Sequence, residues 1–179
     1  AYAHGVDQPQ SHPQRPLILW RTATKDKRVG SGRFAHGAAS ALDRPTVGDW
    51  VAVEASIEPA TGRLHAVLPR QTQFVRKEAG RRHATQVVAA NIDSVFLVTG
   101  LDENFNLRRI ERYLAVAAQS GAEPIIVLNK VDLCEDPDRL LEQAEAIAEG
   151  APVLSLSALT GDGFDELRMF LRPGQTSAL

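Results

Sequence analysis

Asn129, Lys130 and Asp132 set an amide, a cation and a carboxylate into four residues, directly after the apolar run 125–128. A carboxylate in the position of Asp132 can accept hydrogen bonds from both N1–H and the exocyclic amine of guanine. Adenine lacks that donor pair and would leave a desolvated carboxylate unpaired, a penalty large enough to discriminate between the bases. The amide of Asn129 can tie neighbouring loops together and reach a base edge, and the aliphatic stem of Lys130 can cover a purine face. A second set, Ser157, Ala158 and Leu159, lies 25 to 30 residues on. Backbone N–H groups around Ala158 can donate to guanine O6, where adenine carries an amine that cannot accept. A four-residue match is weak evidence by itself. Its weight depends on which elements hold the two sets.

Residues 91–179 alternate strand and helix signals. Residues 92–100 (IDSVFLVTG) form an apolar strand with a Gly stop. Asn106 caps a helix whose Leu107, Ile110, Leu114 and Ala117/Ala118 share one face and which ends at Gly121. Residues 124–129 (PIIVLN) form a second strand, and Asp136-Pro137 starts a helix with the stripe Leu140, Leu141, Ala144, Ile147 and Ala148, stopped by Gly150. Residues 152–157 give a third strand, and a last helix buries Phe164, Leu167, Phe170 and Leu171. This order predicts a parallel sheet with helices on both faces, half of a doubly wound α/β domain of three strands and three helices. In such sheets ligands lie beyond the carboxyl ends of the strands, where both polar sets fall.

The first half reads differently. Residues 1–16 are polar and Pro-rich and read as a mobile tail. From 17 to 90 the apolar segments are short: 17–20, 47–55, 63–68 and 72–76, with turn residues at Gly48-Asp49, Thr61-Gly62 and Pro69. Short strands at this spacing predict a small all-β barrel or sandwich. A convincing helical period is absent there, except around 38–42. Trp20 and Trp50 read as core residues.

The formal net charge of −2 conceals a division. Residues 1–90 hold 13 Lys and Arg against 7 Asp and Glu, whereas residues 91–179 hold 7 against 15. A basic module facing a polyanion accounts for that split. The single cysteine, Cys134, excludes an internal disulfide or a multi-cysteine zinc cluster within these residues and reads as an ordinary thiol. His36, His65 and His83 lack ligand spacing and read as surface residues. No apolar run approaches the roughly 18 residues of a membrane span and no signal-peptide pattern opens the chain, so a cytoplasmic protein without a membrane partner is expected.

The pair NKVDL and SAL resembles the guanine-specificity and Ser-Ala motifs of translation-factor-like GTPases. Their order is unusual, because no Gly-Lys pair, and hence no phosphate-binding loop, precedes them. A β-rich basic module does. That arrangement resembles the circularly permuted GTPases of the RsgA/YjeQ family. Further matches lie at 44–54 (RPTVGDWVAVE), 87–98 (VVAANIDSVFLV), 108–114 (RRIERYL) and 159–176 (LTGDGFDELRMFLRPGQT).

The resemblance implies an OB-type barrel over 17–90 followed by the first half of a permuted GTPase domain over 91–179, acting in assembly of the small ribosomal subunit. It implies GTP or GDP bound through Asn129, Lys130, Asp132, Ser157, Ala158 and Leu159. Barrel contact with ribosomal RNA is implied too, with Arg76, Lys77, Arg81, Arg82 and His83 as the densest basic stretch and Lys25, Lys27 and Arg28 as a second. The phosphate loop, the Mg ligands and a structural Zn domain are expected beyond Leu179, so these residues alone should not hydrolyse GTP, and no catalytic residue or metal ligand is assigned among them. A monomer is expected. Two other readings stay open: a non-enzymatic RNA-binding adaptor with a remnant guanine site, and an α/β ligand-binding module unrelated to GTP.

Overall fold

Alternate residues of the two long apolar strands point to opposite faces, and each face has found its own cover. A computed structural model describes residues 17–22, 44–55, 62–77 and 85–179. In the second half, β6 (Ser94–Gly100), β7 (Glu123–Asn129), β8 (Val153–Ser155) and β9 (Ser177–Ala178) form a parallel sheet in the order β8-β7-β6-β9. Helix α1 (Leu107–Ser120) joins β6 to β7, α2 (Pro137–Glu145) joins β7 to β8, and α3 (Phe164–Arg168) follows β8.

Val95, Leu97, Ile126 and Leu128 pack with Ile110 and Ala117 of α1 and Ala144 of α2. On the opposite face, Phe96, Ile125, Val127, Leu154 and Leu156 meet Phe164, Leu167 and Phe170. Each fully buried aliphatic side chain contributes about 1.5–3 kcal/mol, so the two layers supply most of the cohesion of this half.

Both long helices begin where the caps predict. Asn106 Oδ1 accepts from Arg109 N at 3.1 Å, and Gly121 closes α1 in the left-handed region. Asp136 Oδ1 accepts from Arg139 N, with Pro137 in the first turn. In this half three expectations need correction. The strand expected over 152–157 has only three residues, because Leu156 and Ser157 already turn into the loop. Leu171 is exposed, since α3 ends at Arg168 and later residues leave its apolar face. Ala118 is exposed and Ala117 alone faces the core. A fourth strand, β9, joins the three expected, on the free side of β6.

The first half contributes β1 (Leu17–Arg21), β2 (Trp50–Ala55) and β3 (Gly62–Val67) as an antiparallel sheet, and β4 (Gln73–Lys77) with β5 (Thr85–Ala90) as an antiparallel pair. Among the described residues these are two sheets, bridged by the turn before β2. Ala90 N donates to Val47 O at 2.9 Å, Gly48 N to Thr22 O at 2.7 Å, and Thr46 Oγ1 reaches Val87 O and Val88 O.

Beneath that turn Asp49 is fully buried and takes a two-pronged contact from Arg70, Nε to Oδ1 at 2.7 Å and Nη2 to Oδ2 at 2.8 Å. Thr46 N donates to the same carboxylate at 2.7 Å. Trp50 is not a core residue: it is 42% exposed, with the Arg21 guanidinium 5.7 Å from its ring centroid. The sequence at 38–42 and the tail at 1–16 lie outside the described residues, as does Thr61 of the expected turn.

The two halves meet at Asn91, in the left-handed region at φ 53°. Its Oδ1 accepts from Gln71 N at 2.9 Å, its Nδ2 donates to Gly48 O at 2.9 Å, and its carbonyl accepts from Arg21 Nη2 at 2.8 Å. Thr72 Oγ1 donates to Ile92 O and accepts from Ile92 N. No helix among the described residues is long and apolar enough to cross a membrane.

Candidate guanine-reading site

β7 and β8 end side by side, and the loops leaving them are stitched together by their own polar groups. Asn129, the last residue of β7, turns its Oδ1 back to accept from Lys130 N at 2.7 Å and from Ala158 N at 3.0 Å. Val131 N donates to Leu156 O at 3.2 Å and adds a second stitch. The asparagine amide therefore joins the two polar sets at the carboxyl end of the sheet. It also occupies the Ala158 N–H, one of the donors considered for guanine O6.

The second loop is held from within. Ser157 is fully buried, and its Oγ accepts from Thr160 N at 3.1 Å. Ser157 N donates to Asp162 O at 3.0 Å, while Gly161 N donates to Ser157 O at 2.9 Å. At Gly163, φ is +78° and a Cβ would stand 2.4 Å from Ser155 O, so only glycine lets the chain pass from loop to helix. Ala158 and Leu159 stay at the surface, Leu159 at 85% exposure.

Lys130 takes the left-handed conformation (φ 67°, ψ 39°), after which 131–133 form a single 3-10 turn. Asp132 sits in that turn, exposed, and among the described residues its carboxylate carries no hydrogen bond. An acceptor pair left open to solvent beside an apolar strand end can take a ligand's donor pair. Lys130 Nζ pairs with Asp102 Oδ2 at 2.6 Å, across the end of the neighbouring strand β6. That partner was missed in the sequence. The signal lay in the segment TGLDENF (99–105), which leaves a parallel strand at the same end as the other two loops. The lysine's hydrogen bond, aided by that of Asn104 N, holds the Asp102 carboxyl below its usual range. A cavity of about 230 Å³ opens between β6 and α1, lined by Thr99, Gly100, Asp102, Arg109, Tyr113 and Lys130 among others. Thr99 Oγ1 is buried there without a hydrogen-bond partner.

Of the basic candidates, Arg76 lies exposed on β4, opposite Gln86 of β5, and Lys77 closes the same strand. Lys25, Lys27, Arg28, Arg81, Arg82 and His83 lie outside the described residues. His65 Nε2 stands 3.0 Å from Glu54 Oε2, and Cys134 is a partly buried free thiol. No cluster of His, Cys, Asp or Glu suited to a metal ion occurs among the described residues.

The RsgA GTPase family model matches residues 67–179, a span that includes both strand-end loops. A curated relative from Opitutus terrae, named small ribosomal subunit biogenesis GTPase RsgA, is 50% identical over 157 residues, covering 83% of this chain and 43% of the relative. A relative of the same name from Methanosarcina acetivorans is 44% identical over 147 residues, covering 80% of this chain and 40% of its own. This chain thus spans less than half the length of the curated relatives it matches. Among solved structures, YjeQ from Thermotoga maritima superposes with a TM-score of 0.61 at 29% identity, covering 82% of this chain and 48% of that one. YloQ, a circularly permuted GTPase, superposes with a TM-score of 0.52 at 24% identity over 76% of this chain and 46% of its own, a likeness of fold. With the family match running through the parallel sheet and both loops, and half of the aligned residues shared with one relative, this chain belongs to the RsgA GTPase family.

Proposed function

We propose that this chain supplies the base-reading part of a GTP-hydrolysing factor for small ribosomal subunit assembly, joined to an RNA-docking module. The observation that carries the reading is the Asn129 amide, which draws the 158 loop onto the 130 loop while leaving the Asp132 carboxylate open. Asp132 accepts from guanine N1–H and N2–H₂, the Lys130 stem lies against the purine face, and backbone N–H groups beyond Ala158 approach O6. Ser157 holds the second loop in shape from below. The names of the relatives favour this reading over a non-enzymatic adaptor.

Phosphoryl transfer needs the phosphates gripped, Mg bridging them and a water aligned, and no Gly-Lys pair for a phosphate-binding loop occurs in these 179 residues. GTPase turnover therefore requires residues outside them, and so does the structural Zn implied by the resemblance. The strands of 17–90 form an OB-type barrel that meets ribosomal RNA through Arg76, Lys77 and the basic residues at 25–28 and 81–83. A cytoplasmic monomer completes the reading.

The test is nucleobase exchange. GMP should bind this chain near millimolar strength and AMP should not, since base contacts must offset the cost of association alone. Asp132→Asn should cost GMP roughly 2–4 kcal/mol, or about 30- to 1,000-fold, and shift preference to XMP, whose 2-oxo group accepts from the new amide. GMP affinity unchanged by Asp132→Asn in an NMR titration would remove Asp132 from the site.

A further inference from the structure

We propose that Asp102 is a positioning residue: its carboxylate holds the Lys130 ammonium so that the lysine stem is laid out for the face of a purine. The inference rests on the base-site reading given above, and it adds a third strand-end loop, that of β6, to the two already joined by Asn129.

The carboxylate is itself fixed. Gly100 and Asn129 are paired as the last residues of β6 and β7, and Leu101 N donates to Asn129 O at 2.7 Å, so the two strands stay zipped as the loops begin. Asp102 then turns the chain: Oδ1 accepts from Asn104 N at 2.9 Å, and its carbonyl accepts from Phe105 N at 2.9 Å. The carboxylate folds back over Gly100, where an added Cβ would lie 3.1 to 3.2 Å from its carbon and oxygens. Its second oxygen receives the Lys130 ammonium. The ammonium's hydrogen bond, with that of Asn104 N, pulls the carboxyl below its usual range.

The lysine needs such an anchor. Its backbone is set by the left-handed turn and the bond to Asn129, but its side chain is 49% exposed and borders the cavity between β6 and α1. A free lysine stem samples many rotamers and loses that freedom on covering a base. Tethering the ammonium at Asp102 removes part of the loss before the ligand arrives, which is preorganisation rather than a new contact. Asp102 acts through Lys130 and does not touch the base.

The experiment measures binding of guanosine, which carries no phosphate to attract Lys130 directly, by NMR titration of the whole chain. The variants are Asp102→Asn, Asp102→Glu, Lys130→Ala, the Asp102→Asn/Lys130→Ala double variant, and Asp132→Asn as the base-site control. Asn keeps an acceptor for Asn104 N, so the turn should persist, and an unchanged amide spectrum away from the site verifies it. Asp102→Asn should weaken guanosine about two- to fivefold, the scale of an exposed ion pair. Asp102→Glu should recover most of that, and Asp102→Asn should do nothing further once Lys130 is Ala. The penalty should also shrink in about 1 M salt, where screening reaches about 3 Å, a change that a purely structural role would not show. Equal or tighter guanosine binding by Asp102→Asn, with Asp132→Asn still abolishing it, would overturn the positioning role alone. Insensitivity to Asp132→Asn would overturn the base-site reading and this inference with it.

Discussion

Asp49 and Asp102 each hold a cation, at 2.7 Å and 2.6 Å, yet they belong to regions built on different terms. Among the described residues around Asp49, the buried large aliphatic side chains of the first half are Val51, Leu64 and Val87. Among the described residues, polar bonds join their two sheets: the Asp49–Arg70 pair, the Thr46 and Thr22 bonds, and Asn91 beneath. Thr22 Oγ1 also donates closely to Thr46 O. Around Asp102 the cohesion comes from the apolar layers of β6 and β7, and the ion pair sits at their rim, where it borders the candidate site and supports little weight. Polar bonds specify geometry sharply but fail when one partner is lost, whereas an apolar layer degrades by the volume removed. The first half should therefore be brittle and the second tolerant.

The largest effect that could break this contrast is Asp49→Ala. Losing the fully buried carboxylate takes with it the two-pronged contact from Arg70 and the acceptor from Thr46 N, which should cost about 3 kcal/mol and unfold the first-half strands at lower urea than the parallel sheet. Tryptophan fluorescence reports Trp20 and Trp50 in the first half only, and it is set beside the helical circular dichroism signal, which among the described residues comes from the second. Coincident transitions would show that the halves share one cooperative unit. Next comes Leu128→Ala, fully buried between α1 and α2, which should cost about 3 kcal/mol and lower the helical transition. The smallest is Asn106→Ala. Loss of the cap of α1 should cost about 1 kcal/mol, measured by the same urea titration, and should leave the Asp49 region untouched.

Legibility in the sequence follows the same line. The helix of 107–120 and its cap, the strand at 123–129 and the α2 start at Asp136-Pro137 are written in local periods and single residues, and they stand where expected. β5 escaped because TQVVAA ends in alanines, which carry little strand signal of their own. β9 is two residues long and exists only through its pairing with Ser94 and Val95, a tertiary fact with no local trace. For the candidate site, the sequence marked the two loops as strand ends, whereas Asp102 stands in a third such loop and its pairing with Lys130 follows only from the register that puts Gly100 opposite Asn129. Trp50 was misplaced for a similar reason: alternation on β2 tells inside from outside only when the partner sheet is known.

The pairing of β6 with β9 also has a consequence for synthesis of the chain. Asp93 Oδ2 accepts from Thr176 N at 2.7 Å, and Ser94 Oγ meets Ser177 Oγ at 2.8 Å, both across 83 positions. A ribosome adding about 5–20 residues per second needs roughly 4–17 s to deliver that partner after β6 has emerged. During that interval β7 can arrive and shield one edge, but the other edge of a strand reading SVFLVTG stays open to any extended chain nearby. Until residue 176 leaves the ribosome, the Ser94–Val95 end of that edge lacks its partner, and a chaperone that binds apolar extended segments would find a target there in that window.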